Sequence, residues 1–188
     1  ATVGGTSVGV QVAFEATLVN VVVHFFNIGC SVSGCFYTKL HNSYFRYCSL
    51  GLRAENFHNL NVVECAFAGG VVGGRTAGQE SGNGVLLLSG GECSIRGGSF
   101  EAFWGSGGYG IKALGNFLHL NVSDAYFEAY GDDTHQSGPA ILVDGVGTSI
   151  NVKGCYSYIY YQDAFIWLTD DTYKYSLTSI GNRFTNSS

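Results

Sequence analysis

Residues 120–130 read LNVSDAYFEAY, and residues 179–186 read SIGNRFTN. In the first stretch Leu120 and Val122 alternate with Asn121 and Ser123, Asp124 interrupts, and Phe127 then stands between Tyr126 and Glu128. A two-residue alternation sends every other side chain to one face of a strand. The stretch therefore reads as two short half-buried strands joined by a tight turn.

The same grammar recurs along the chain. VNVVVHFFN (19–27), TKLHNSYFR (38–46), LNVVECAFA (60–68), CSIRGGSFE (93–101), LNVSDAYFE (120–128), INVKGCYSY (150–158) and LTSIGNRFT (177–185) align without gaps. One column holds Phe26, Phe45, Phe67, Phe100, Phe127, Ser157 and Phe184. Five residues upstream stand Val21, Leu40, Val62, Ile95, Val122, Val152 and Ser179. Seven upstream stand Val19, Thr38, Leu60, Cys93, Leu120, Ile150 and Leu177. Thr38, Ser157 and Ser179 are the interruptions. Two residues before the Phe column come His24, Ser43, Cys65, Gly98, Ala125, Cys155 and Asn182, small or polar residues that suit a corner. Asn182 is expected to bond backbone groups through its side-chain amide.

A second apolar run precedes each segment, beginning near Val8, Ile28, Leu50, Gly84, Gly110, Ala140 and Ala164. Successive Phe-column residues are 19, 22, 33, 27, 30 and 27 positions apart. A regular core with irregular spacing suits a solenoid with loops inserted at its corners. One such coil cannot bury its inner face alone. Stacking coils about 4.8 Å apart pairs each strand with those above and below and turns the Phe column into an interior stack. The fold expected is all-β: a right-handed single-stranded parallel β-helix of about seven coils, filling residues 1–188 as one domain. A β-sandwich would show regular hairpin signals such as Asn-Gly, which are few here.

Composition agrees. Hydrophobic residues make up 46% and charged residues 12% of the 188, with 28 glycines and one proline. That is too apolar for disorder and low in charge for an ordinary surface, so a surface partly covered by copies of itself is expected. Net charge is -5 with no basic cluster, which argues against duplex nucleic acid. No apolar run nears the ~20 residues that span a bilayer, so no membrane insertion is expected. The six cysteines, Cys30, Cys35, Cys48, Cys65, Cys93 and Cys155, form no CxxC pair. They read as buried reduced thiols rather than zinc ligands, which fits assembly in a cytoplasm. Glycine runs such as Gly73-Gly74 and Gly107-Gly108 do not form GxGxxG, so no cofactor and no metal are expected. No signal peptide is visible at Ala1, and the lack of Met suits a segment of a longer chain.

The xIxxNxFxx pattern of 179–186 and 120–130 resembles the coils of bacteriophage tailspikes and pectate-lyase-like right-handed β-helix proteins, over roughly Val8 to Asn186. The resemblance implies an elongated homotrimer on a virion tail, beside other tail proteins, touching a host surface polysaccharide. It implies an extracellular setting after assembly in the host cytoplasm, and endoglycosidase or lyase activity. The calcium-binding Asp clusters and catalytic Arg of pectate lyases have no recognisable counterpart here.

Three insertions, 70–83, 104–109 and 131–138, follow the Phe-bearing strand at one corner of successive coils, where loops on a rigid scaffold carry function. The residue after the inward Phe faces solvent, giving Glu101 and Glu128 in adjacent coils, about 5 Å apart. Like charges that close raise one pKa, and a carboxylate pair at about 5–5.5 Å suits retaining glycoside hydrolysis. Side chains splayed into water, or facing a partner subunit, are the plainer reading. Asp124 and Glu80 are further carboxylates nearby. Two residues on, the outward face carries Phe103, Tyr130 and Tyr160, with Trp104 and Tyr109 in the adjacent loop; exposed rings stack on sugars, and equally on subunits. Asp132, Asp133 and His135 complete the candidate binding set, against the reading of a solvated turn. No nucleophile–His–Asp motif is visible.

Three functions stay open: a module recognising host polysaccharide during phage adsorption, an endo-acting polysaccharide depolymerase using Glu101 and Glu128, and a structural shaft.

Overall fold

The computed structural model describes residues 7–69, 83–101, 108–114, 119–129, 138–145, 149–159, 165–169 and 175–186. The strands, in chain order, begin with β1 (Val8–Val12), β2 (Ala16–Val19), β3 (Val22–His24), β4 (Ile28–Ser33), β5 (Tyr37–His41) and β6 (Tyr44–Arg46). Then come β7 (Leu50–Val63), β8 (Ala66–Ala68), β9 (Asn83–Arg96), β10 (Ser99–Glu101), β11 (Ile111–Ala113) and β12 (His119–Ser123). The last are β13 (Tyr126–Ala129), β14 (Ile141–Val143), β15 (Ser149–Lys153), β16 (Tyr156–Ile159), β17 (Ile166–Leu168), β18 (Ser176–Ile180) and β19 (Arg183–Asn186).

The pairings are parallel and join strands from successive repeats. One path runs β1-β4-β7-β9-β11-β14-β17, and a second runs β2-β5-β7-β9-β12-β15-β18. The long strands β7 and β9 belong to both, and register shifts at Ala54/Glu55 and Glu55/Phe57 mark the break between the two halves. A separate seven-stranded sheet has the order β19-β16-β13-β10-β8-β6-β3. The chain is thus all-β, with parallel strands in stacked sheets and no helix among the described residues, an arrangement compatible with a β-helix solenoid.

The interior is the expected stack of equivalent side chains. Phe45, Phe67, Phe100 and Phe127 are 0–1% exposed and lie ring on ring, with centroids 5.4, 5.3 and 4.8 Å apart. Each buried ring contributes about 1.5–3 kcal/mol by area, and stacking adds about 0.5–1.5 kcal/mol. The upstream columns follow: Leu40, Val62, Ile95, Val122 and Val152 are in register and buried, as are Leu60, Cys93, Leu120 and Ile150.

The first repeat departs from the sequence alignment by three residues. Val23, not Phe26, pairs with Phe45; Leu18, not Val21, pairs with Leu40; Ala16, not Val19, pairs with Thr38. The cause lies in the corner before the Phe column. A left-handed residue stands there in every repeat: Asn20, Asn42, Glu64, Gly97, Asp124, Gly154 and Gly181, all with positive φ. The inward residue is the third after it, which in the first repeat is Val23. Gly, Asn and Asp tolerate this conformation best, so the corner, rather than the aromatic, sets the register.

In four repeats the side chain of the residue after the left-handed one satisfies local backbone. Ser43 Oγ accepts from Val21 N (3.1 Å) and donates to the His41 carbonyl (3.0 Å). The Cys65 and Cys155 thiols donate to the carbonyls two residues back. Asn182 does the same work with its amide: Oδ1 accepts from Cys155 N (2.9 Å) and Nδ2 donates to the Val152 carbonyl (3.1 Å). All six cysteines are free and buried. Burial pushes the Cys30 thiol up to about 12 and also raises Cys48, Cys65, Cys93 and Cys155.

A glycine column faces the aromatic one. A Cβ on Gly51 would lie 2.6 Å from Phe67 Cδ1, and one on Gly110 would lie 2.9 Å from the Phe127 ring. Where the ring is replaced by Ser157, the opposing position is Ala140 instead of glycine. The room that Ser157 leaves is taken up by Phe165, whose ring meets Phe127 edge-on at 5.6 Å and Phe184 at 4.5 Å.

Candidate functional site

The outer surface of the seven-stranded sheet carries the candidate carboxylates. Glu101 and Glu128 follow the buried Phe100 and Phe127 and pair directly in register across β10 and β13. Adjacent strands lie about 4.8 Å apart, so the two residues are neighbours on one face. In the same row Ala68 precedes Glu101 and Tyr158 follows Glu128.

The row two residues upstream faces outward as well, and it holds Tyr44, Ala66, Ser99, Tyr126, Tyr156 and Arg183. Tyr126 donates its hydroxyl to Glu128 Oε2 at 2.8 Å, and its ring stacks on Tyr156 with centroids 5.7 Å apart and planes within 9°. Burial, then the hydrogen bond to Glu128 and the nearby negative charge, holds the Tyr126 hydroxyl above its ordinary pKa, so it stays a donor. The Tyr156 hydroxyl lies 3.4 Å from Thr185 Oγ1. The result is a strip: two carboxylates in register, one oriented by a tyrosine, beside a pair of stacked rings. Carboxylates accept sugar hydroxyls, and ring faces cover the apolar side of a pyranose.

Tyr126 was not among the residues singled out from the sequence as a sugar-stacking face, whereas Tyr156 opens the aromatic stretch 156–161 that reads as packing on a neighbouring subunit or a glycan. The signal was present: strand parity puts residues 126 and 128 on one face as surely as 128 and 130. Tyr109, expected in an exposed loop, is buried at 7% exposure, its backbone donating to Asn83 Oδ1 and accepting from Gly84 N. Lys112 lies over its ring at 5.6 Å. A ring covered this way has no free face for a sugar. Asp124, offered as a further carboxylate, is a left-handed corner residue. Phe103, Trp104, Tyr130, Asp132, Asp133, His135, Tyr160 and Glu80 lie outside the described residues.

A second exposed aromatic feature went unread. Phe25 and Tyr47 both adopt positive φ at the corner after the seven-stranded sheet, and their rings stack at 5.2 Å while staying 64% and 41% exposed. Bulky residues are outliers in this conformation, which costs of order 1–3 kcal/mol. Among the described residues no group of three or more His, Cys, Asp or Glu could hold a metal ion, and no helix is long and apolar enough to cross a membrane.

Compared with known proteins, the chain matches no family model, no curated protein and no solved structure at a significant level.

Proposed function

We propose that this chain is a right-handed single-stranded β-helix of about seven coils, assembling as a homotrimer in a phage tailspike or tail fibre, and that it recognises a host cell-surface polysaccharide. The observation that carries the reading is the strip on the seven-stranded sheet. Glu101 and Glu128 stand in register, Tyr126 orients Glu128, and the Tyr126–Tyr156 stack lies alongside. A rigid outward row that repeats with the strand spacing matches an extended polymer better than a small solute. The strained, exposed Phe25 and Tyr47 support a surface that meets a partner, since strain of that kind persists where function holds it.

The depolymerase reading keeps one specific support, the adjacent carboxylates, whose strand spacing falls close to the separation used by retaining glycosidases. Incubation with capsular polysaccharide and lipopolysaccharide preparations, followed by sizing of the glycan, separates the two. Binding with full-length glycan, lost in Tyr156→Ala, is the expected result. Shortened glycan that disappears in both Glu101→Gln and Glu128→Gln moves the assignment to the enzyme. Failure to retain any preparation leaves the structural shaft.

A further inference from the structure

The outward face of the seven-stranded sheet is charged in opposite senses toward its two ends. Strand parity places His24 on β3 and Arg46 on β6 in the same outward row as Glu101 on β10 and Glu128 on β13. Between the cationic and anionic halves stand only small side chains, Ala66 and Ala68 on β8 and Ser99 on β10. The one ion pair among the described residues is Arg53–Glu55, so Arg46 has no carboxylate partner there; its guanidinium lies 5.4 Å from the Tyr44 ring centroid. Glu128 takes the Tyr126 hydroxyl on Oε2. A carboxylate offers about four acceptor sites, so it can take a guanidinium as well.

The same face leaves apolar surface uncovered at both ends. Val22, Tyr44 and Tyr156 are 62%, 38% and 38% exposed. The stacked Phe25 and Tyr47, with His24 edge-on to both rings, border the cationic half.

We propose that this face docks a second copy of the chain, face to face about a two-fold axis. The axis lies between the two sheets, parallel to the strands, and crosses the face between β8 and β10. That rotation keeps each row opposite its own row and reverses the order of the strands. Arg46 of one copy then meets Glu128 of the other, Tyr44 meets Tyr126, and Val22 meets Tyr156, each contact occurring twice as a two-fold interface requires. At the centre the small Ala66 and Ser99 let the sheets approach. An axis along the stack would instead set each strand level with itself, Arg46 by Arg46 and Glu128 by Glu128, which like charge opposes. A face of such short strands falls at the low end of protein interfaces, so the docking is weak and the charge match supplies its specificity. A surface covered by copies of itself also suits a chain with 12% charged residues. The inference uses residues of the strip without resting on the polysaccharide reading. A docked copy covers Glu128 and Tyr156, so glycan and second copy exclude one another, and a homotrimer joined through the other sheet leaves this face open to docking.

Sedimentation of the full chain over a concentration series tests it. Wild type should reach twice the mass of Arg46→Glu. Arg46→Glu and Glu128→Arg each set like charges together at both contacts, so each alone should dock about a hundredfold more weakly. An equimolar mixture of the two variants restores opposite charges at both contacts and should recover the mass of the wild-type pair, which a variant that merely unfolds could not do. High salt should weaken docking of wild type. Arg46 lies outside the strip, so glycan retention by Arg46→Glu reports on the polysaccharide reading separately. Equal mass of wild type and Arg46→Glu across the series would overturn the proposal. So would a mixture that stays undocked while circular dichroism shows both variants folded, which would assign the face to a different partner.

Discussion

Gly110→Ala probes the coupling between the glycine and aromatic columns. The new methyl would sit 2.9 Å from Phe127 Cδ1 and Cε1 and 2.7 Å from the Ala140 carbonyl. Overpacking of that kind costs about 1–3 kcal/mol. The lost backbone freedom of the unfolded chain returns about 0.4–1 kcal/mol, so a net loss of about 1–2 kcal/mol is expected. Phe127→Ala alone should cost about 3–5 kcal/mol. With the ring gone, the contact with the Ala140 carbonyl at 2.7 Å remains but the one with the ring is removed, so Gly110→Ala should then cost about 1 kcal/mol less than in the intact stack. The coupling of about 1 kcal/mol exceeds the ~0.3–0.5 kcal/mol scatter of independent sites. Urea unfolding followed by circular dichroism, at one protein concentration because self-association shifts apparent stability, measures all four corners of the cycle. Additivity within that scatter would refute the idea that the glycines exist to admit the rings.

The Thr38 hydroxyl is fully buried without a hydrogen-bond partner among the described residues, so Thr38→Val should raise stability by about 1 kcal/mol in the same assay. Phe165→Ala should lower it by about 2 kcal/mol, below the 3–5 kcal/mol of a fully buried ring because Phe165 is only half-buried. Glu64→Gly relieves a left-handed corner and should raise stability by about 0.5–1 kcal/mol, read as a higher melting temperature. The cysteines should react with a thiol reagent at pH 8 only after denaturation. The Cys30 thiol is favoured neutral in the fold, with a pKa raised from 9.0 to about 12, so its contribution is full below pH 9 and is lost as pH climbs toward 12. Urea midpoints should therefore fall across that window, and Cys30→Ala should flatten the fall.

The parallel stacking was legible because Phe45, Phe67, Phe100 and Phe127 keep one spacing from Leu40, Val62, Ile95 and Val122 despite unequal loops. The first repeat was misread because VNVVVHFF offers an apolar residue at almost every position, and periodicity alone cannot place it. Asn20 would have done so, since it aligns with Asn42 and Asp124 as the residue able to turn left-handed. Glu101 and Glu128 emerged from parity within a strand, whereas Tyr109 failed because burial in a loop follows from tertiary packing, not local pattern.

The match of Ala140 with Ser157, against Gly51, Gly84 and Gly110 with their rings, has a further consequence for assembly of the chain. Were a segment to dock one rung out of place, the methyl of Ala140 would be driven into Phe127; a slip the other way would leave Ser157 facing Gly110 across a void. Either error costs packing energy. Small and large side chains thereby act as a key cut differently at each level, letting near-identical rungs find their own neighbours without needing identical lengths between them.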